Sequence, residues 1–111
     1  MDPVAVIRAF EGMIYHVHAK DVCIDRYNTA LNGVLDTKHY SDEAHRSWIF
    51  RTVGYGNSAK YWKDIFSELR KIGYDGTISI EHEDSLINRM EGLQHAVDMI
   101  KECCVYAKYI P

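Results

Sequence analysis

Only two stretches of this chain carry a strand pattern, and both lie between helical ones. That scarcity limits the fold more than any other feature of the 111 residues. The first stretch, Met13–His18, alternates Met13, Tyr15 and Val17 on one face with Ile14, His16 and His18 on the other. The second, Thr77–Glu81, sets Ile78 and Ile80 against Thr77, Ser79 and Glu81. A helical segment between them makes the two strands parallel, joined by a right-handed crossover. Parallel strands are normally covered on both faces, which two strands flanked by three helices do not achieve. Each strand is apolar on one side and turns polar on the other, ending at His18 and Glu81.

The helices are read from their ends and stripes. Asp2-Pro3 starts the first: aspartate caps free N–H groups and proline suits the first helical position. Val4, Ile7 and Phe10 then share a face, and the helix closes near Gly12. Residues 22–57 show no sustained period, which predicts a long functional or disordered loop. Trp48-Ile49-Phe50 marks a part of it that packs down, and Gly54-x-Gly56 reads as turn geometry, too short for a nucleotide loop. Ser58 caps a helix over 58–72 with Trp62, Ile65, Phe66 and Leu69 on its buried side, and Gly73 ends it. Tyr74-Asp75-Gly76 is a turn, and a last helix runs from about Met90 to Tyr109 with Leu93, Val97, Ile100 and Cys104 on its stripe. Helix, strand, loop, helix, strand, helix is an α/β order, and strands polar at their C-terminal tips are what a β/α barrel presents at its mouth.

Composition excludes several classes. Hydrophobic residues make up 47% and charged residues 26%, which is globular and neither disordered nor low-complexity. The net charge is −3, so no basic footprint points to nucleic acid. Cys23, Cys103 and Cys104 are odd in number and lack framework or zinc spacing, which fits packing thiols in a reducing compartment. Met1-Asp2-Pro3 has no basic, apolar leader and no run is apolar enough to span a bilayer, so the expectation is a cytoplasmic protein without membrane partners.

Three runs taken in order carry a family resemblance. Ile14-Tyr15-His16-Val17-His18-Ala19-Lys20-Asp21, then Arg51-Thr52-Val53-Gly54-Tyr55-Gly56, then Gly73 through Asp84 resemble the sugar phosphate isomerase/epimerase family, the xylose-isomerase-like TIM barrels. The resemblance covers nearly the whole chain as a single partial domain over 1–111. It implies the C-terminal quarter of a (β/α)8 barrel: the end of helix 6, strand 7, helix 7, strand 8 and helix 8. A complete barrel of this kind takes roughly 250 residues, so the length that first suggests a small self-sufficient domain reads as a truncated one.

The resemblance also implies a divalent metal, Mn, Mg, Co or Zn, at the barrel mouth. It matches His18 to the strand-7 metal ligand and Glu81 to the strand-8 ligand, which also moves a proton beside the substrate carbonyl. A strand-5 glutamate and a strand-6 aspartate would lie before Met1, so the chain holds half of such a site and is expected to be inactive alone and to hold metal weakly, if at all. His16 either lines the interior below the site or touches the metal or substrate. Lys20 and Asp21 either meet substrate hydroxyls or pair with each other. Arg51 either clamps a substrate oxygen or phosphate, for which guanidinium geometry is suited, or is a surface residue. Glu83 and Asp84 read as solvated loop residues, with His82 among them as a weak cation cluster.

Three functions follow. The first is metal-assisted isomerisation or epimerisation of a sugar or polyol derivative. The second is a catalytically inactive barrel remnant that self-associates through its open strand edges, as a homo-oligomer or against a missing N-terminal barrel portion. The third is an endonuclease-IV-like DNA repair enzyme, which the acidic charge and the absence of an Asp-x-His pair after the first strand disfavour.

Overall fold

The computed structural model describes residues 1–104. Helix α1 (Pro3–Ala9) begins where Asp2 accepts the Val4 N–H at 2.9 Å, with Pro3 in its first turn. Strand β1 (Val17–Ala19) occupies only the end of the expected Met13–His18 stretch. A strand exists only where it has a partner, and the pairing is confined to three residues on each side. Val17, His18 and Ala19 face Ile78, Ser79 and Ile80 in parallel register. Residues 13–16 are outside that ladder, with Tyr15 exposed.

The stretch 22–57 is not a structureless loop. Strand β2 (Asp21–Ile24) pairs antiparallel with β3 (Trp48–Arg51), enclosing helix α2 (Arg26–Asn32), which Asp25 caps through the Tyr27 and Asn28 N–H groups. Four-residue strands separated by 23 residues leave no period to detect, and only the Trp48-Ile49-Phe50 cue survives in sequence. The return segment is pinned by Asp36, whose carboxylate accepts from the Lys38 and Ser47 backbone. The Lys38 N–H is the main reason its pKa falls to about 2.

Helix α3 (Ala59–Lys71) carries Ser58 as its cap and buries Trp62, Ile65, Phe66 and Leu69, as its spacing predicts. Gly73 closes it at φ +80°, the left-handed position that glycine accepts without strain. Strand β4 (Ile78–Ile80) follows, and the Glu81 N–H extends its ladder by donating to the Ala19 carbonyl at 3.0 Å. Helix α4 (Arg89–Cys103) ends where Cys104 becomes extended, and the expected continuation to Tyr109 lies outside the described residues. Its most buried positions are Gly92, Ala96 and Cys103, one residue before the expected Leu93, Val97 and Cys104. Small residues on that line let α4 approach the sheet closely, while Ile100 and Cys104 flank the core. All three thiols are free, and burial pushes the Cys103 thiol pKa up.

Val17, Ala19, Ile78 and Ile80 join Trp62, Phe66, Leu69 and Ala96 in the core. The β1–β4 pair therefore has one face covered by α3 and α4 and the other occupied by His18 and Ser79. A radius of gyration of 15.6 Å shows how open this is, since a compact chain of this length would measure about 13 Å. No helix among the described residues is long and apolar enough to cross a membrane.

Helix α1 is fastened by charge as much as by apolar contact. The Arg8 guanidinium bonds both oxygens of Glu68 on α3, at 2.8 and 3.1 Å, and Lys71 reaches the same carboxylate. Arg8, then Lys71, lower the Glu68 pKa from 4.5 to about 2. A depressed carboxylate pKa stabilises the fold above the unfolded value, and the effect disappears as pH falls through the folded value. The protection of α1 amides, relative to their intrinsic exchange rates, is thus expected to fall between about pH 4.5 and pH 2, and Glu68→Gln should remove that pH dependence while loosening α1 at neutral pH.

Candidate functional site at the sheet's polar tip

The tip is built by the alternation of residues 18–21. His18 projects to the open face, Ala19 enters the core, Lys20 turns back to the open side and Asp21 plunges into the protein. On the neighbouring strand Ser79 and Glu81 take the same open side. Four of the expected site residues therefore meet. Glu81 Oε2 lies 3.2 Å from His18 Nδ1 and Oε1 lies 3.0 Å from Lys20 Nζ. His16 Nε2 is 3.0 Å from Ser79 Oγ, and its ring stands edge-on to that of His18.

Lys20 organises this tip. Its ammonium also bonds Glu83 at 3.0 Å and sits 4.0 Å above the Phe50 ring on β3. Burial opposes its charge, but the bonds to Glu81 and Glu83 outweigh that and raise its pKa. Reciprocally, Lys20 and then His18 hold the Glu81 carboxyl below its ordinary range. Lys20 therefore pairs with the two glutamates and not with Asp21.

Asp21 does not reach the tip. It is 1% exposed. Its Oδ2 accepts from the Gly54, Gly56 and Asn57 N–H groups and from Trp62 Nε1, and its Oδ1 from the Val22 N–H and the Asn57 amide. A carboxylate so saturated has no lone pair to offer a substrate. Gly54 turns at φ +95° and a side chain on Gly56 would strike the Val22 carbonyl, so both glycines serve this cradle as the turn reading anticipates.

Arg51 is neither free nor on the surface. Its Nε bonds Asp84 Oδ2 at 3.0 Å. Asp84, expected to be solvated, has a side chain 0% exposed. It also accepts from the Thr52 N–H and hydroxyl and from the Leu86 N–H. Burial raises its pKa, but those donors prevail and lower it. Glu83 is exposed as expected. His82 is drawn under α4, its Nε2 close to where a Gly92 side chain would stand and without a hydrogen-bond partner. Sequence reasoning overlooked Asp84 as the partner of Arg51, and Phe50 beneath Lys20. An acidic residue just past a polar strand tip was the signal for the first; nothing in a four-residue strand announced the second.

Residues 1–103 match the xylose isomerase-like TIM barrel family. The chain belongs to that family. It is also 40% identical over 101 residues to the uncharacterized protein YfiH of Bacillus subtilis (strain 168), a match covering 91% of this chain and 32% of the relative. This xylose isomerase-like chain thus spans about a third of the length of that relative.

The family implies a divalent metal, and the donors at the tip can be tested against one. Adjacent ligands at ~2.1 Å on an octahedral ion lie about 3 Å apart. His18 and Glu81 are hydrogen-bonded to each other at 3.2 Å, close enough for one ion to replace the shared proton, and imidazole with carboxylate suits Mn, Mg, Co or Zn. The pair fits as part of a shell; among the described residues no group of three or more such donors gathers.

Two substitutions separate framework from tip. Asp21→Asn replaces an acceptor facing six backbone or side-chain N–H groups, and is expected to cost roughly 2–4 kcal/mol in denaturant unfolding. Lys20→Met removes the main cause of the low Glu81 pKa, so the Glu81 carboxyl should titrate at higher pH by carbon-13 NMR, with little loss of stability.

Proposed function

We propose that the chain is the C-terminal quarter of a metal-dependent sugar or polyol isomerase/epimerase. Residues of α1 end helix 6, β1 is strand 7, α3 is helix 7, β4 is strand 8 and α4 is helix 8. The β2–β3 pair then belongs to the loop after strand 7, where barrel enzymes carry their specificity. The observation that carries this reading is the meeting of His18 and Glu81 at the C-terminal tips of adjacent parallel strands, on the open side of the sheet.

In this reading His18 and Glu81 supply two of the ligands of a Mn, Mg, Co or Zn ion, which when bound polarises a substrate carbonyl and hydroxyl. Glu81 takes or returns the proton on the carbon beside that carbonyl. Its pairing with Lys20 and His18 leaves it ionised at neutral pH, though a weaker base than a free carboxylate until a substrate displaces those partners. Lys20 orients its carboxylate and offers an ammonium to substrate oxygens. His16, held by Ser79, borders the same face. Arg51 acts through Asp84, bracing the loop beside the tip.

The open face requires a cover: the remaining barrel strands, or a second copy of the chain in a homo-oligomer. The remnant reading shares that requirement and differs only in activity. The endonuclease reading is disfavoured by the net charge of −3 and by Asp42 and His45, which pair with each other at 2.6 Å as an exposed i,i+3 contact.

The test is solvent-proton exchange at the substrate's reacting carbon, followed by NMR in deuterated buffer with Mn. The 111-residue chain alone is expected to be inactive on ketoses. When it is joined to the preceding strands of such a barrel, exchange should appear and Glu81→Gln should reduce it at least ~100-fold. Full activity of the isolated chain, or an unaffected Glu81→Gln barrel, would refute the reading.

A further inference from the structure

Helix α2 buries none of its seven residues, and its hydrogen bonds settle which side it holds against the protein. Asn28 Nδ2 donates to the Ala44 and Arg46 carbonyls, each at 2.9 Å, and Thr29 Oγ1 to the Ser47 carbonyl at 3.3 Å. The helix thus turns its polar side inward. Tyr27 and Leu31, four residues apart and so on one face, point the other way and are 69% and 85% exposed. Ile24 just before the cap, and Val34 and Leu35 just past the helix end, are exposed as well, Leu35 at 93%. Asp36 then drops back into the protein.

Residues 27–35 contain no charged side chain, in a chain where 26% are charged. A face built for water carries charged and polar residues, with its apolar ones turned to the core; here the order is inverted. The five apolar side chains together expose on the order of 600 Å², at the upper end of what a monomer leaves to water. Two such faces in contact remove about 1,200 Å² from water, the lower end of the range for a specific dimer.

Charge selects the occupant. A twofold contact sets a patch against its own copy, so a charge near the axis meets a like charge. A patch without charge escapes that repulsion. A different protein is ordinarily steered and matched by opposite charge, which this face does not offer. Arg26, at its border, is held by Tyr27, 4.7 Å from the ring centre and 2.7 Å from the hydroxyl.

We infer that the outer face of α2 is a docking surface for a second copy of this chain, in a twofold dimer centred on Tyr27, Leu31 and Leu35. The contact goes beyond the isomerase/epimerase reading and does not depend on it. Neither the strand-tip residues nor the open edges of β1 and β4 carry it.

The experiment is sedimentation velocity of the 111-residue chain over a dilution series, with methyl NMR on the same samples. The chain should be half dimeric at roughly 10–100 µM, and the Leu31 and Leu35 methyl shifts should move on dilution along the same curve. Leu31→Glu and Leu35→Glu should each weaken association at least about tenfold, with the circular dichroism spectrum unchanged. A chain still monomeric at about 1 mM would overturn the dimer. So would association that survives both substitutions, or dilution shifts confined to other residues, the results that pairing through the strand edges gives. A chain extended by the preceding strands of its barrel that stays monomeric, with the Leu31 and Leu35 methyls buried, would assign the face to the rest of its own chain and overturn the dimer too.

Discussion

The carboxylate of Asp21 ties three parts of this protein to one point. It ends β1's excursion into the core, closes the Gly54–Asn57 turn over itself and takes the indole N–H of Trp62 at the start of α3. Six donors converge on two oxygens, and burial strengthens each bond by excluding water. Because Asp21 is fixed, the three residues before it are fixed too. Lys20 and His18 must point to the open side, and Ala19 must pack inward.

From that anchor the site follows by strand geometry. Parallel pairing sets Ser79 beside His18, and two residues later Glu81 arrives at the same height as the imidazole and the ammonium. The polar residues are tolerated there because His18 and Glu81 stay largely exposed to water and Lys20 is paired with two carboxylates. In the proposed barrel the same sheet side is the interior, and the His18–Glu81 pair faces it. Two strands with a clean core on one side and a charged cluster on the other are consistent with a chain that spans a third of its Bacillus subtilis relative. The charged cluster would be costly in a sealed core, and in a barrel mouth it is useful.

Local rules made much of this legible. The caps at Asp2 and Ser58, the closing Gly73 and the Trp62–Leu69 stripe depend on neighbouring residues alone, and they stand as read. The β1–β4 pair and the meeting of His18 and Glu81 were readable because alternation and parallel order specify them, whereas the bonds of Lys20 to Glu81 and Glu83 were not. What escaped depends on partners distant in sequence. β2 finds β3 across an intervening helix, Arg51 finds Asp84 across 33 residues, and Asp21, expected at substrate or beside Lys20, instead fills a buried cradle of N–H groups that leaves no pattern in sequence. The α4 stripe was displaced by one residue because small residues, not large ones, make its closest approach.

The decisive measurement is Mn-induced paramagnetic broadening across the carbon-13 and nitrogen-15 spectra of the chain. The His18 imidazole and Glu81 carboxylate should broaden first and together, at weak affinity, and both effects should vanish in His18→Ala. Broadening centred on Asp42 and His45 or on the Glu83–Asp84 loop, with His18 and Glu81 left sharp, would contradict a metal-facing pair at the strand tips.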